Sequence, residues 1–187
     1  LKTIALEIMY PLTYLCNLSF QTGIVPDPLK IAKVIPLYKK GDKCLPDNYR
    51  PISLLSVFDK IIEKLMHSRL YNYLLKYNIL YEYQFGFRKN HSTSLALVDV
   101  IENIYNLLDK KEIVIGLYFD LKKAFDTVNH DILLHKLSNY GIRGTTLDWF
   151  KSYLNNRKQF VSFSGFNSDV RHIECGIPQG SVLCPIL

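Results

Sequence analysis

Two aspartates follow the most apolar short segment of the chain. Residues 113–119 (Ile-Val-Ile-Gly-Leu-Tyr-Phe) carry no charge and are rich in β-branched and aromatic side chains, which is typical of a strand covered on both faces. Asp120 comes next, and a carboxylate at the end of such a strand is exposed at the sheet edge but rigidly held. Mg²⁺ requires oxygen ligands in fixed positions, so Asp120 is a candidate metal ligand. Taken alone, Asp120 is better explained as a helix N-cap after a strand. Asp126 follows six residues later, and this spacing does not require the two carboxylates to point to the same place.

Basic residues are concentrated in the first half of the chain. The 187 residues include 23 Lys and Arg against 17 Asp and Glu, which gives a net charge of +6. Residues 1–90 contain 13 basic and 7 acidic residues, and residues 91–187 contain 10 of each, so the whole excess lies in the first half. The densest basic group consists of Lys30, Lys33, Lys39, Lys40, Lys43 and Arg50. This asymmetry indicates a polyanionic partner, and evenly solvated lysines are the alternative.

The composition excludes several classes of protein. An apolar fraction of 48% and an aromatic fraction of 13% are sufficient for a packed core, which excludes intrinsic disorder. The apolar stretch at residues 4–20 is interrupted by Glu7, Pro11 and Asn17, so we expect neither a secretory signal nor a membrane span there. The four cysteines show no C-x-x-C spacing, and we expect them to be reduced, in an intracellular protein.

The elements that must position these residues are a mixture of helices and short strands. Apolar side chains at spacings of three or four residues predict helices, and uncharged or turn-flanked β-branched segments predict strands. The predicted helices cover residues 4–18 with an interruption near Pro11, 57–77, 92–109, 129–140 and 146–154. The predicted strands cover residues 31–38 and 113–119, and a hairpin of 157–163 with 170–174 around the turn 164–168. This mixture indicates an α+β fold.

Local signals predict the ends and buried faces of these helices. Ser56 is a predicted N-cap for the second helix, and Ser92 or Thr93 for the third. Gly141 suits the left-handed position that ends the fourth helix. The predicted buried faces are Phe58, Ile62, Leu65, Met66, Tyr73 and Tyr77 in the second helix and Leu95, Val98, Ile101, Tyr105 and Leu108 in the third. Residues 23–57 are rich in Pro and Gly and are predicted to be loop-rich around a single strand.

Five segments occur in a specific order along the chain. They read Ile-Ala-Lys-Val-Ile-Pro-Leu-Tyr-Lys-Lys-Gly-Asp at 31–42, Asn-Tyr-Arg-Pro-Ile-Ser-Leu-Leu at 48–55, Gln-Phe-Gly-Phe-Arg-Lys-Asn-His-Ser-Thr at 84–93, Phe-Asp-Leu-Lys-Lys-Ala-Phe-Asp-Thr-Val at 119–128 and Gly-Ile-Pro-Gln-Gly-Ser-Val-Leu-Cys-Pro-Ile-Leu at 176–187. In this order they resemble the reverse transcriptase domain of non-LTR (LINE-type) retrotransposons, over nearly all of the chain. The resemblance implies RNA-directed DNA synthesis on the fingers and palm of a right-hand polymerase fold, with two Mg²⁺ ions in a complete domain.

The resemblance assigns roles to particular residues. Asp120 corresponds to the first catalytic carboxylate and, together with the backbone carbonyl of Leu121, to a metal ligand. Phe125 corresponds to the aromatic residue beneath the incoming sugar, where a ribose 2′-hydroxyl has no room. The residues expected to contact the incoming dNTP are Lys39, Lys40, Arg50, Phe125, Gln179 and Gly180. Arg88 and Lys89 lie in a motif that the resemblance places near the template path, and we expect both to contact nucleic acid. Lys30, Lys33 and Lys43 are expected to contact nucleic acid because of their clustered positive charge.

General chemistry supports these roles, although each residue also has an ordinary interpretation. Nucleotidyl transfer depends on in-line positioning and on neutralisation of phosphate charge, and one aspartate is not sufficient to hold two metal ions. A planar Arg50 guanidinium suits a bidentate grip on phosphate, whereas a lysine supplies a point charge. In the ordinary interpretation Arg50 pairs with Asp47, Phe125 fills the core, and Gln179 is a loop residue.

The resemblance also implies a domain organisation. Residues 1–110 correspond to the fingers region with an N-terminal helical segment, and residues 111–187 correspond to part of the palm. The family's two further metal carboxylates follow the Pro-Gln-Gly segment in an x-Asp-Asp motif, so we expect a chain that is truncated at the C-terminus and inactive alone. Cys184 stands where the family pattern has glycine, and Leu29 stands where it has an aromatic residue.

Three functions are consistent with the sequence. The leading one is a reverse transcriptase domain whose partners are an RNA template, a DNA primer and dNTP, with no membrane and with a nuclear location for a working element. The second is a non-catalytic nucleic-acid-binding remnant of a decayed element that retains its basic segment. The third is a related polymerase that copies RNA into RNA. Phe125 argues against this third function, because such enzymes keep a smaller or polar residue at that position.

Overall fold

The sheet is built on two strands that lie side by side in parallel, β1 (Ile31–Tyr38) and β3 (Lys158–Phe163). In the computed structural model, which describes residues 4–187, β2 (Tyr49–Leu54) pairs with β1 in antiparallel register. The strand order is β2-β1-β3-β4, where β4 covers Phe166–Asn167, and β5 (Arg171–His172) also pairs with β3. Five helices, α1 to α5, cover Ala5–Thr22, Val57–Lys76, Thr93–Asp109, His130–Asn139 and Thr145–Leu154. The predicted α+β class is confirmed.

The β1–β2 pair forms in the segment that was predicted to contain one strand only. β1 has the predicted bounds, and it alternates between buried Ala32 and Val34 and exposed neighbours. β2 was not predicted because it contains Pro51, which cannot donate to a ladder. Proline is tolerated there because β2 lies at the edge of the sheet. Pro36 of β1 is tolerated for a related reason, since the pairing with β3 ends at Val34.

The helices agree closely with their predicted positions and caps. Ser56 Oγ accepts a hydrogen bond from the Asp59 N–H at 3.0 Å at the start of α2, and Ser92 Oγ accepts one from the Leu95 N–H at 3.2 Å at the start of α3. Gly141 follows α4 with a φ of +90°, as a glycine after a helix C-terminus is expected to do.

The predicted interruption of α1 at Pro11 is wrong. The helix continues from Ala5 to Thr22 and ends at Gly23, which has a φ of +68° and donates its N–H to the carbonyl of Ser19. A proline inside a helix removes the hydrogen bond to the carbonyl four residues earlier. Here that carbonyl belongs to Glu7, and both Glu7 and Pro11 are exposed, so water can satisfy the freed oxygen.

The core is centred on α5 and on the helices and strands packed around it. Trp149, Phe150 and Tyr153 are completely buried, and the rings of Trp149 and Tyr153 are stacked with centroids 5.5 Å apart. The indole N–H of Trp149 donates to Ser19 Oγ of α1 at 3.0 Å. A Cβ on Gly23 would lie 2.9 Å from the carbonyl oxygen of Thr145, so glycine permits the close approach of α1 to α5.

The predicted buried faces of α2 and α3 are only partly correct. Ile62 and Met66 of α2 are buried. Phe58 and Leu65 of α2, and Tyr77 directly after it, are between 42% and 57% exposed. Two carboxylates, Asp59 and Glu63, are buried in their place. The predicted face of α3, which consists of Leu95, Val98, Ile101, Tyr105 and Leu108, is between 41% and 64% exposed.

The predicted strand at residues 113–119 is wrong. This segment is irregular, and Ile113, Ile115, Leu117, Tyr118 and Phe119 are between 77% and 92% exposed. An isolated strand leaves its backbone N–H and C=O groups unpaired, so it needs a neighbouring strand to form. Among the described residues no strand pairs with this segment.

The predicted hairpin forms, with a tighter turn. Ser164 and Gly165 have φ values of +50° and +86°, the backbone of a two-residue turn that joins antiparallel strands. The returning chain pairs with β3 in two short stretches, at Phe163↔Phe166 and at Lys158↔His172. The register changes by one residue between these stretches, which splits the returning strand into β4 and β5.

The described residues form two compact units. The first contains the chain up to His67 together with Lys123–Pro185 and Leu187, and the second contains Ser68–Lys122 and Ile186. The division into fingers and palm at residue 110 remains a prediction. Between residues 4 and 187, none of the helices is both long and apolar enough to span a membrane.

Candidate functional site

A cavity of about 320 Å³ lies in the first unit beside the Pro-Gln-Gly segment. Its wall consists of Pro51, Ser53, Asp126, Gln159 and residues 172–179. One side is therefore the edge strand β2, another is β3, and a third is the loop of residues 173–181, which we call the glutamine loop. Residues from four separate parts of the sequence meet at this cavity.

The glutamine loop is attached to β2. The Ser53 N–H donates to the carbonyl oxygen of Gln179 at 2.7 Å. Gly180 has a φ of +117°, and a Cβ at this position would lie only 2.7 Å from the carbonyl oxygen of Ser53. Both the backbone conformation and the close approach to β2 therefore require glycine at position 180.

The glutamine loop is also attached to the segment that follows Asp120. Gln179 donates from Nε2 to Oδ1 of Asp126 at 2.8 Å. The N–H of Ile177 donates to the carbonyl of Phe125 at 2.8 Å, and the N–H of Gly176 donates to the carbonyl of Val128 at 2.7 Å. The side chain of Gln179 is thus held at the cavity wall by a carboxylate, and its backbone is held by β2.

A buried polar cluster adjoins the glutamine loop and includes its last residue, Ser181. Its members are Asp59 and Glu63 of α2, Tyr153 of α5, Arg157 and Ser181. The guanidinium of Arg157 lies 3.6 Å from Asp59 Oδ2 and 4.7 Å from the centre of the Tyr153 ring. Glu63 accepts hydrogen bonds from Tyr153 and Ser181 at 2.5 and 2.8 Å.

The buried cluster perturbs the ionisation of several groups. Burial raises the pKa of Asp59 to about 7, an effect that Glu63 increases and Arg157 opposes. Burial likewise raises the pKa of the Tyr153 hydroxyl, and it raises the pKa of the Cys184 thiol to about 11. The Cys184 thiol is thus held in its neutral form. Nothing in the structure explains why cysteine replaces glycine at this position.

An exposed basic group lies at the connection between β1 and β2. Lys39, Lys40, Lys43 and Arg50 are all exposed there, and we call this group the basic hairpin. Its connection is ordered by polar contacts, including hydrogen bonds from Asn48 Nδ2 to the Asp42 carbonyl at 2.7 Å and from Tyr49 Oη to the Lys43 carbonyl at 2.8 Å. Arg50 immediately precedes Pro51 of the cavity wall on β2, but none of the four basic residues is itself among the residues that line the cavity.

Asp47, the partner of Arg50 in the ordinary interpretation, forms an ion pair with Lys123, whose Nζ lies 3.0 Å from Asp47 Oδ1. The contact raises the pKa of Lys123, chiefly through the hydrogen bond from its ammonium. Both side chains are more than half exposed, so the pair adds little stability.

Lys30 is not part of the exposed basic group. Its side chain is 6% exposed, and Nζ donates to Asp27 Oδ1 at 2.9 Å and to Ser152 Oγ at 3.5 Å. Its charge is thus paired with Asp27, and a contact of Lys30 with nucleic acid remains a prediction. Lys33, also predicted to contact nucleic acid, is exposed on β1.

Arg88 and Lys89 belong to the second unit. Arg88 Nη1 donates to the carbonyl of Tyr81 at 2.8 Å, so its guanidinium stabilises the local loop. Lys89 is exposed, and its Nζ lies 5.9 Å from the centre of the Tyr71 ring. A contact of these residues with the template remains a prediction.

Asp120 and Leu121 also belong to the second unit, and both are exposed. A carboxylate and a backbone carbonyl are hard oxygen donors of the kind that Mg²⁺ prefers. In the part of the chain that the structure describes, however, no group of three or more His, Cys, Asp or Glu side chains is placed to hold a metal ion. The donors present therefore match the chemistry of Mg²⁺ but do not form a complete site.

The structure brings together some predicted residues and adds others that the sequence did not indicate. Gln179 lines the cavity, Gly180 packs closely against Ser53, and Ile177 of the same loop donates its N–H to the Phe125 carbonyl. Arg50 lies on β2 next to Pro51 of the cavity wall. The residues that were missed as parts of this site are Ser53, Glu63, Asp126 in its contact with Gln179, Tyr153, Arg157 and Ser181. One signal was available for Glu63, because Asp59, Glu63, Met66 and Leu70 recur on one helical face with two carboxylates among apolar residues.

The family of the chain follows from its motifs and from comparison with known proteins. The family model described as "Reverse transcriptase (RNA-dependent DNA polymerase)" matches residues 37–187. The chain therefore belongs to the reverse transcriptase family, and the predicted relation to non-LTR elements is confirmed.

Several relatives come from mobile elements of Drosophila melanogaster. The chain is 34% identical to the probable RNA-directed DNA polymerase from transposon BS, covering 100% of this chain and 21% of that protein. It is 35% identical to the RNA-directed DNA polymerase from mobile element jockey, covering 94% of this chain and 19% of that protein. It is 33% identical to the probable RNA-directed DNA polymerase from transposon X-element, covering 100% of this chain and 21% of that protein. The chain thus spans about a fifth of the length of these relatives.

Proposed function

We propose that this chain supplies the fingers and part of the palm of an RNA-directed DNA polymerase, and that the cavity beside the glutamine loop receives the incoming dNTP. The placement of Gln179 carries the proposal, because Asp126 and Ser53 hold it at the wall of the cavity. A volume of about 320 Å³ lies at the lower end of the range of roughly 300–1,000 Å³ that small-molecule sites occupy.

The basic hairpin suits the triphosphate of the dNTP. Arg50 offers a planar guanidinium for a bidentate contact with phosphate, and Lys39 and Lys40 offer point charges. All three are exposed on or beside β2, whose Pro51 and Ser53 line the cavity. Phe125 would pack beneath the sugar and leave no room for a ribose 2′-hydroxyl.

Template, primer and metal complete the proposal. Lys33, Lys43, Arg88 and Lys89 would contact the phosphates of an RNA template and a DNA primer. Members of the family are generally metal-dependent, and we expect two Mg²⁺ ions in a complete domain. Bound Mg²⁺ would neutralise phosphate charge, with Asp120 and the carbonyl of Leu121 among its ligands.

A ternary binding assay tests the dNTP site. The chain is mixed with Mg²⁺ and an RNA template annealed to a dideoxy-terminated DNA primer, and binding of the radiolabelled dNTP that complements the next template base is measured. We expect binding that depends on the template base and weakens about tenfold in Gln179→Ala, the scale expected for the loss of hydrogen bonds at a binding site. Gln21→Ala, at an exposed position of α1, is the matched control and should bind as the wild-type chain does.

The same assay separates the two leading functions. A non-catalytic remnant would bind the template–primer duplex through the exposed basic hairpin but would not select a complementary dNTP. Duplex binding without base-dependent dNTP binding would therefore contradict the polymerase site and favour the remnant.

Cellular location is a further proposal drawn from the same family relation. We propose that the protein is intracellular and that a working element places it in the nucleus. Imaging of a fluorescent fusion in host cells tests this, and exclusion from the nucleus throughout the cell cycle would contradict it.

A further inference from the structure

Glu63 is a completely buried carboxylate outside the group of residues proposed to contact substrate. Its Oε1 accepts hydrogen bonds from Tyr153 Oη at 2.5 Å and from Ser181 Oγ at 2.8 Å. Its Oε2 accepts a hydrogen bond from the backbone N–H of Val182 at 2.7 Å. Three donors are thus directed at its two oxygens, which act as acceptors in all three contacts.

Two of the three donors come from the segment that carries Gln179. Ser181 and Val182 directly follow Gly180 in the chain. Ser181 Oγ also accepts hydrogen bonds from the N–H groups of Leu183 at 3.0 Å and Cys184 at 3.3 Å. Glu63 therefore fixes the course of the backbone immediately after the Pro-Gln-Gly segment.

The peptide between Gln179 and Gly180 thus lies between two anchors. On one side, the Ser53 N–H of β2 binds the carbonyl of Gln179, and on the other side Glu63 of α2 binds Ser181 and Val182. A residue between these anchors cannot relax freely, and Gly180 has the positive φ that this geometry requires. A change at Glu63 therefore has a direct structural route to Gln179.

We infer that Glu63 is a positioning residue for the nucleotide site, and that it sets where Gln179 and Gly180 stand in the cavity. This inference rests on the proposed function. Burial of a carboxylate costs free energy of desolvation, which an apolar side chain of similar volume would not. Packing alone therefore does not explain a glutamate at position 63. The hydrogen bonds to the loop account for the charge at this position.

Hydrogen exchange in the full 187-residue chain, combined with the ternary binding assay, tests the inference. The variants are Glu63→Gln, which keeps the shape but places an amide donor in the acceptor site, and Ser181→Ala, which removes one of the three hydrogen bonds. Ile62→Val, at a buried position next to Glu63 on α2, is the control for loss of stability without loss of a loop contact. Amide exchange at Ser53 and Val182 is measured together with global unfolding by urea.

We expect exchange at Ser53 and Val182 to accelerate about tenfold or more in both test variants beyond any change in global stability, since bonds to a charged group contribute on this scale. The dissociation constant for dNTP should rise about tenfold in Glu63→Gln, while affinity for the template–primer duplex stays the same. Ile62→Val should lower the free energy of unfolding without selectively accelerating exchange at Ser53 and Val182 and without raising the dissociation constant for dNTP.

The inference is overturned if Glu63→Gln and Ser181→Ala change loop exchange and dNTP affinity no more than the Ile62→Val control at matched stability. If Glu63→Gln does not fold, loop exchange and dNTP affinity in Ser181→Ala test the inference instead. If the wild-type chain binds no dNTP, the proposed function fails, and the exchange rates still decide whether Glu63 anchors the loop.

Discussion

Gln179 donates a hydrogen bond to Asp126 at 2.8 Å, so a side chain proposed to contact the incoming dNTP is oriented by a carboxylate 53 residues away in sequence. Asp126 lies six residues after Asp120, and the sequence alone did not show whether the two side chains point to the same place. In the structure its Oδ1 is engaged with the amide of Gln179. The contact gives Asp126 a specific function that does not require a metal ion.

Removal of the Asp126 carboxylate should weaken dNTP binding. In Asp126→Ala the amide of Gln179 loses its acceptor, and we expect the dNTP dissociation constant in the ternary assay to rise about fivefold to tenfold, corresponding to about 1 kcal/mol for one lost hydrogen bond. Asp126→Asn keeps an acceptor oxygen and should lie close to wild type. If Asp126→Asn raises the dNTP dissociation constant as much as Asp126→Ala does, then the site requires the negative charge and not the hydrogen bond.

Glycine at position 180 should be indispensable to the loop. Gly180→Ala forces a positive φ on a residue with a Cβ and brings that Cβ to 2.7 Å from the Ser53 carbonyl oxygen. We expect a loss of about 1–3 kcal/mol in the free energy of unfolding, together with weaker dNTP binding. Gly86→Ala is the matched control, because no atom lies within 4 Å of its added Cβ. Equal urea midpoints for Gly180→Ala and Gly86→Ala would contradict the requirement for glycine at position 180.

The basic hairpin and Lys30 should respond differently to removal of charge. Lys39→Ala and Lys43→Ala should each weaken RNA binding and reduce the slope of log K against log salt by about 0.7–0.9, the change expected for one phosphate contact. Lys30→Met removes a buried ammonium and should change the free energy of unfolding while leaving that slope unchanged. A reduced slope in Lys30→Met would show that its ammonium does reach nucleic acid.

Asp59 should make the protein less stable as the pH rises from about 4 to 7. The pKa of this carboxyl is about 7 in the folded protein against 3.8 for an unperturbed side chain. In this range the folded state keeps the proton and the unfolded state has lost it, so stability is greatest at the low end and falls as pH rises. The contribution is on the order of a few kcal/mol.

Asp59→Asn removes this titration. The free energy of unfolding should therefore fall less steeply with pH in the variant than in the wild-type chain, and the difference between the two slopes is the contribution of Asp59 alone. Urea unfolding at intervals between pH 4 and 8 measures both slopes. Parallel stability curves for the two proteins would show that Asp59 titrates normally.

Phe125 should determine the choice of sugar. In a longer polymerase that contains this chain, Phe125→Val should reduce the preference for dNTP over NTP by about 10²-fold, or about 3 kcal/mol, because the smaller side chain leaves room for a 2′-hydroxyl. Single-nucleotide kcat/KM values for a dNTP and the matching NTP measure the ratio. If Phe125 only fills the core, both values fall together and the ratio is unchanged.

Local signals in the sequence predicted local structure well. Ser92 caps α3 as expected, Gly141 follows α4 with a positive φ, and β1 has its predicted bounds. These features depend on residues within a few positions of one another. The capping hydroxyl, the absent Cβ and the alternation of side chains act without help from distant parts of the chain.

Features that depend on distant residues were not predicted from the sequence. The segment 113–119 has the composition of a strand, but a strand also needs a partner, which composition does not supply. The contacts of Glu63 depend on Ser181 and Val182, which are more than a hundred residues away in sequence. The order of the sequence motifs indicated the family, whereas these contacts required three-dimensional structure.

The parallel pairing of β1 with β3 has a consequence for synthesis of the protein. Ile31 pairs with Lys158, so one edge of β1 lacks its partner until the ribosome has made more than a hundred further residues. At about 5–20 residues per second this interval lasts roughly 6–25 s. An unpaired strand edge is a template for association with other chains, and closing so long a loop makes folding slow. The nascent segment that contains β1 must therefore stay soluble with an open strand edge until β3 emerges.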